Sequence, residues 1–220
     1  MILVKPSHKI LAIMREGNEL QLIEQAGRTC YKSEDKITMD SAEKFIKTIR
    51  DRGHHSVLEH SAMTVRFVCD RGVTHEIVRH RLAAYSQEST RYCNYKGGVT
   101  FVIPPWVNIE EGEYDGGLSG IHPNDSFWYN FMIEAERVYK WLLDTRDKAG
   151  WSPQQARSVL PNSLKTEIVV TANFREWRHI FTLRCSKAAH PQMRELMIPL
   201  LEECKRMVPV IFEDIAGGDE

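Results

Sequence analysis

Nowhere does the sequence contain an apolar run near the roughly 20 residues that a membrane-spanning helix requires. The opening residues, M-I-L-V-K-P-S-H-K, carry too short an apolar run for a secretory signal. Its five cysteines (Cys30, Cys69, Cys93, Cys185 and Cys204) are scattered, odd in number and free of any C-x-x-C pair. That pattern excludes a disulfide framework and a zinc knuckle and points to a reducing compartment. A cytoplasmic location with no membrane partner is the expectation. Charge of one sign is lacking too: 29 Lys and Arg face 30 Asp and Glu, a formal net charge of -1. A general nucleic-acid binder is more often clearly basic, so no nucleic-acid partner is expected. Neither G-x-x-x-x-G-K-S/T nor G-x-G-x-x-G occurs, which removes the P-loop and the Rossmann cradle as ways of holding phosphate.

What is present fits an ordinary globular chain. At about 150 residues per domain, 220 residues make one domain or a small pair, with enough chain for a real core. Alternating or β-branched stretches predict strands at 2–5, 61–69, 98–103 and 164–172. Apolar residues at helical spacing predict a helix over 39–50 (Met39, Ala42, Phe45, Ile46, Ile49), with Thr38 as N-cap and Gly53 beyond its end. A longer helix is expected from Asp125 to Lys148, burying Phe127, Phe131, Ala135, Val138 and Leu142. Ser152-Pro153-Gln154-Gln155 starts a short helix that Pro161 stops, putting Arg157 on an anchored turn. Asn173 begins a helix to about Arg184, with Glu176 placed to complete a capping pair, and a last helix spans about 191–207, with a kink expected before Pro199. The stretch at about 107–123, with Glu110, Glu111, Glu113 and Asp115 among glycines, reads as a solvated surface loop without function. The fold class is therefore α+β, in a single domain over 1–220.

Three polar clusters stand out. The first is V-R-H-R-L-A-A-Y-S-Q-E-S-T-R-Y-C at 78–93. On a continuing helix Arg79 and Arg81 would point to nearly opposite sides, while Glu76, Arg79 and His80 would share a face. Either the helix ends there and a loop wraps a ligand, or the cations address two bodies; a salt-bridged helix end is the bland alternative. The run Ser86, Gln87, Ser89, Thr90, Arg91 and Tyr92 adds neutral donors and a forked guanidinium, suited to phosphate and planar oxygen acceptors. The second cluster is G-H-H-S-V-L-E-H at 53–60. His54, His55, Glu59 and His60 are metal-ligand types, but their spacing matches no zinc pattern, so turn or pocket-lining histidines are expected and no metal. The third is N-F-R-E-W-R-H-I-F-T-L-R at 173–184. Phe174, Trp177 and Phe181 make a core stripe there, Arg175, Arg178 and His179 lie opposite, and Arg184 ends the stripe, where an unpaired charge is unusual.

Together these segments resemble the flavin-dependent thymidylate synthases. The family's defining pattern is R-H-R, seven residues, then S-x-R; here it is Arg79-His80-Arg81, residues 82–88, then Ser89-Thr90-Arg91. G-H-H-S-V-L-E-H, A-R-S-V-L-P at 156–161 and N-F-R-E-W through L-R support it independently, and the likeness covers most of 25–207. The resemblance implies a mixed sheet flanked by helices, a homotetramer, and flavin sites shared between subunits. It places Ser56, Arg79, His80, Arg81, Gln87, Asn173, Arg175 and His179 at FAD. Around dUMP it places Glu76, Arg79, Gln87, Glu88, Ser89, Thr90, Arg91 and Arg157, with Arg184 as the catalytic residue at the uracil edge, favouring ionisation at N3. Glu76 stands where some members carry glutamine, and His179 where others carry asparagine.

The chemistry implied is that of a methyltransferase, reductive methylation of dUMP to dTMP. Methylenetetrahydrofolate supplies the carbon, NADPH reduces FAD, and the flavin delivers the hydride, while the protein supplies orientation and electrostatics. A neutral serine needs an adjacent base to attack, and the sequence assures none for Ser89, which reads as a positioner. His80, crowded by arginines, is expected to resist protonation. No cysteine lies in a motif like that of the flavin-free synthases, so no enzyme nucleophile is expected. Two rival readings are a metallohydrolase built on His54, His55, Glu59 and His60, and an RNA-binding module using Arg79, Arg81 and Arg91.

Overall fold

The computed structural model describes residues 1–13, 19–144 and 150–218. In chain order the elements begin with β1 (Ile2–Val4), β2 (Ser7–Ile13), α1 (Glu19–Tyr31) and α2 (Ser41–Asp51). A 3-10 turn (His55–His60) leads into β3 (Ala62–Asp70), α3 (Arg71–Ile77) and β4 (Ala83–Gln87). Next come β5 (Thr100–Val102), β6 (Gly112–Glu113), α4 (Pro123–Leu143) and α5 (Pro153–Ala156), followed by a 3-10 turn (Arg157–Val159). The chain closes with β7 (Lys165–Asn173), α6 (Phe174–Arg184), α7 (Pro191–Met207) and α8 (Pro209–Phe212). The architecture is α+β. One sheet is mixed, in the order β5-β1-β6, with β1 parallel to β5 and antiparallel to β6; the other has the order β2-β3-β7-β4.

The chain divides into two compact units. One comprises Met1–Ser7, Phe67–Val78 and Ser86–Ile168. Its core gathers Leu3 and Phe101 from the mixed sheet with Tyr129, Met132, Ala135 and Tyr139 of α4. This differs from the expected face of α4: Ala135 is buried, but Phe127 and Phe131 are exposed. The helix carries aromatic residues on several sides, so apolar periodicity does not single out one. The buried tyrosines also have partners for their hydroxyls, the carbonyl of Gly116 for Tyr129 and the amide of Tyr95 for Tyr139. Helix α4 ends at Leu143, with Asp144 extended, and of its expected continuation 145–148 lies outside the described residues. Within 107–123 the four carboxylates are exposed, yet Val107 and Ile109 are buried and Gly112–Glu113 pairs as β6.

The other unit comprises His8–Arg66, Arg79–Tyr85 and Val169–Glu220. Strand β3 alternates as expected, burying Met63 and Val65 here, and β7 buries Val170 and Ala172. Helix α6 packs on α7 and on the turn His55–His60; Trp177 stacks with Phe181 at 5.6 Å, and Phe212 meets Phe174 and Phe181 edge-on. Asp40 rather than Thr38 occupies the N-cap position of α2, without a side-chain capping bond, and Met39 lies outside the helix, 99% exposed. Thr38 instead bonds the Asp40 carboxylate. Gly53, with φ +75, ends the helix in the left-handed region that glycine tolerates. Helix α7 begins at Pro191 and runs through Pro199 to Met207.

Candidate functional site

Helix α3 ends at Ile77, capped by Val78, so R-H-R does not continue the helix. Arg79 and His80 therefore lie beyond the helix and do not share a helical face with Glu76. Asp70 starts α3 by accepting the Val73 amide at 2.9 Å. Seven residues later the chain leaves the helix and carries R-H-R into the unit that holds α6.

In that unit, Arg79 and Arg81 are exposed while His80 is buried. His80 Nε2 accepts a hydrogen bond from Arg184 Nε at 3.0 Å, its Nδ1 lies 3.6 Å from Glu176 Oε1, and its ring meets His179 edge-on at 5.7 Å. Burial, then the neighbouring charges of Arg184 and His179, pull the His80 pKa down to about 4. The imidazole is therefore neutral at pH 7, and its approach to Glu176 is not an ion pair. Burial pushes the Glu176 carboxyl above its usual range, with His179 opposing. Asn173 caps α6 by accepting the Glu176 amide at 2.9 Å. Glu176 does not complete the expected capping pair, because its carboxylate turns toward His80 instead.

A cavity of about 670 Å³ opens beside these groups. Asn173, Arg175 and His179 line it together with His55, Glu59 and Leu82. Ser56 is exposed on the same turn as His55 and Glu59. Arg175 pairs with Glu59 at 2.6 Å, and Arg178 clasps both carboxylate oxygens of Asp214 at 2.7 Å. Two histidines of 53–60 have partners of another kind: His54 Nδ1 meets the Tyr31 hydroxyl at 3.0 Å, and His55 Nε2 the Arg50 carbonyl at 3.1 Å. Among the described residues no group of three or more His, Cys, Asp or Glu is arranged to hold a metal ion.

The second group of expected site residues lies in the first unit. Arg157 Nη1 donates to Thr90 Oγ1 at 2.9 Å. Ser89 Oγ accepts the Arg91 amide at 3.3 Å, while the Ser89 carbonyl accepts the amides of Tyr92 and Cys93. This tight turn presents Ser89, Thr90 and the exposed Arg91 side by side. Gln87 donates to the hydroxyls of Thr74 at 3.0 Å and Thr166 at 3.3 Å. Glu88 accepts from the Tyr95 hydroxyl at 2.7 Å and from Lys165 at 3.1 Å, so its carboxylate is held within the protein. Burial alone would lower the Lys165 pKa, but its bonds to Glu167 and Glu88 outweigh that and hold it above the usual range. Glu76 sits half-buried on α3. The structure thus gathers Gln87 through Arg91 with Arg157 in one unit, and His80, Asn173, Arg175, His179 and Arg184 in the other.

Sequence reasoning does not find Tyr95, Lys165 or the turn of Glu176 toward His80. Lys165 and Glu88 are 77 residues apart, and no local pattern announces such a pairing.

Comparison with known proteins bears on what these clusters serve. The family model described as "Thymidylate synthase complementing protein" matches residues 10–210. The chain belongs to this family. Its relatives include a flavin-dependent thymidylate synthase of Geobacter sulfurreducens, 32% identical over 218 residues, covering 96% of this chain and 88% of that one. Another, from Mycobacterium avium, is 36% identical over 207 residues, covering 90% and 82%. Among solved structures, Thymidylate Synthase X from Helicobacter pylori, crystallised with FAD and dUMP, superposes with a TM-score of 0.73 at 20% identity, over 96% of this chain and 98% of that one. At that identity the superposition establishes the family fold. Among the described residues, no helix is long and apolar enough to cross a membrane.

Proposed function

We propose that this chain is a flavin-dependent thymidylate synthase that reductively methylates dUMP to dTMP. In this reading methylenetetrahydrofolate is the one-carbon donor, NADPH the reductant and FAD the cofactor. The observation that carries it is the 32% identity over 218 residues to a flavin-dependent thymidylate synthase. The R-H-R, seven residues, S-x-R pattern at 79–91 accompanies it.

The residues present fit FAD. A cavity of about 670 Å³ is of the size that holds a cofactor-sized ligand, and Arg175 and His179 bring donors to it. Such donors suit a pyrophosphate, with Ser56, Arg79, Arg81 and Asn173 of the same unit as further contacts. Bound FAD supplies the hydride. The chain's own residues supply the rest. Arg91, Arg157, Ser89 and Thr90 hold the nucleotide phosphate, with Glu76 and Glu88 as further dUMP contacts from the same unit. Arg184, its Nε anchored on His80, faces the uracil and favours the N3-ionised ring. Ser89 acts as a positioner, its Oγ accepting the Arg91 amide.

No cysteine serves as nucleophile in this reading. Burial pushes the thiols of Cys185 and Cys204 up to about 12, which leaves almost no thiolate at neutral pH. The functional form is a homotetramer in the cytoplasm. The test is direct: the purified chain with FAD, NADPH, methylenetetrahydrofolate and dUMP forms dTMP. Absence of product under these conditions, with the folded protein verified, would contradict the reading.

A further inference from the structure

Glu176 is a carboxylate only 6% exposed, in the first turn of α6, for which the proposed reaction has so far given no task. Its Oε1 lies 3.6 Å from His80 Nδ1, and the other ring nitrogen of His80 meets Arg184 Nε at 3.0 Å. One imidazole thus stands between an acid and a base carried by the same helix. We propose that Glu176 is a positioning residue: it orients His80 with its hydrogen on Nδ1, so that the Nε2 lone pair holds the guanidinium of Arg184. The assignment rests on the reading of Arg184 as a uracil-facing residue.

The proton bookkeeping supports this. A neutral imidazole carries one hydrogen, and a guanidinium only donates. Nε2 must therefore offer its lone pair to Arg184, which leaves the hydrogen on Nδ1, on the side of the carboxylate. At 3.6 Å the contact is too long for a good direct hydrogen bond, but in a buried setting the charge still acts on the ring. A carboxylate beside one ring nitrogen raises the basicity of the other, as it does behind metal-bound and catalytic histidines. One contact holds the His80 backbone and another its ring: the Tyr85 hydroxyl donates to the His80 carbonyl at 2.5 Å, and His179 packs edge-on. Among the described residues, the titratable groups facing Glu176 include His80, Tyr85 and His179. With His80 neutral, Glu176 does not serve as a counter-ion, and its effect is directional.

Heteronuclear NMR of the holoenzyme with isotope-labelled histidine reads the tautomer directly. The wild type should show the His80 hydrogen on Nδ1. In Arg184→Ala the guanidinium no longer imposes a tautomer, so the hydrogen stays on Nδ1 only if Glu176 sets it. A swing to Nε2 in that variant, or Nε2 protonation in the wild type, overturns the proposal. Glu176→Leu should lower the Nδ1-H fraction and reduce kcat by roughly tenfold or more at unchanged KM for dUMP, and Glu176→Gln, which keeps an acceptor oxygen, should restore most of both. Wild-type tautomer and kcat in the Leu variant would also overturn it. Should Leu prevent folding, the tautomer in Arg184→Ala decides. A correct tautomer in an enzyme that makes no dTMP would instead refute the proposed function and leave the positioning intact.

Discussion

Arg157 Nη1 donates to Thr90 Oγ1 at 2.9 Å, joining a residue on the turn after α5 to the S-x-R segment 67 residues earlier. The capping geometry explains the reach. Gln155 Oε1 accepts the Ser152 amide at 2.9 Å, which fixes the start of α5 and hence the turn from which Arg157 extends. In the proposed function these two side chains close around the nucleotide phosphate. Charge-assisted hydrogen bonds of this kind are worth about 1.5–3 kcal/mol. Arg157→Ala should therefore raise the KM for dUMP by roughly 10- to 100-fold with little change in kcat, in steady-state assays of dTMP formation. Thr90→Val should give a smaller effect in the same direction.

Arg184 is assigned to turnover rather than to cofactor retention. Arg184→Ala should keep bound FAD, read from the visible flavin absorbance of the purified protein, while kcat falls by about 10²–10³, the usual cost of losing one donor to a developing charge. Intact turnover in this variant would show that the residue is misassigned.

Acid should weaken the fold through His80. Its folded pKa of about 4 lies below the ordinary imidazole value of 6.5, so between these values the unfolded chain binds the extra proton. Stability is therefore fully present above about pH 6.5 and is lost as the pH falls toward 4, by up to roughly 3 kcal/mol from this group. Glu176, with its pKa raised, acts in the opposite sense over its own range, so the comparison must isolate the histidine. Urea midpoints measured from pH 7 to 4 should fall less steeply in His80→Gln than in the wild type. Parallel slopes would contradict the assignment.

The core around α6 sets the stability of the unit that carries His80 and Arg184. Trp177 is fully buried, stacks on Phe181 and donates Nε1–H to the Met63 carbonyl at 3.0 Å. Trp177→Ala should cost about 3–5 kcal/mol by denaturant unfolding, and Trp177→Phe markedly less.

Much of this molecule is legible in its residues, for identifiable reasons. Strands β3 and β7 read directly because β3 alternates and β7 is rich in β-branched residues (Thr166, Ile168, Val169, Val170 and Thr171). Helix α6 reads because Asn173 caps it and Phe174, Trp177 and Phe181 repeat at helical spacing. The face of α4 misleads, since aromatic residues surround that helix and only packing against Leu3 and Phe101 selects Tyr129, Met132 and Tyr139. Within the site, the R-H-R and S-x-R residues are visible as a motif. Their partners are not: Glu176 for His80 and Lys165 and Tyr95 for Glu88 are brought close by tertiary structure, and Glu176 looks locally like a capping acid.

The central claim, that this chain carries flavin and passes a hydride from it to a one-carbon unit on dUMP, has one direct spectroscopic readout. The purified protein, or the protein supplied with FAD, should show flavin absorbance that NADPH bleaches and that returns on adding dUMP with methylenetetrahydrofolate in the absence of oxygen. A colourless preparation that gains no flavin absorbance from added FAD would contradict the account.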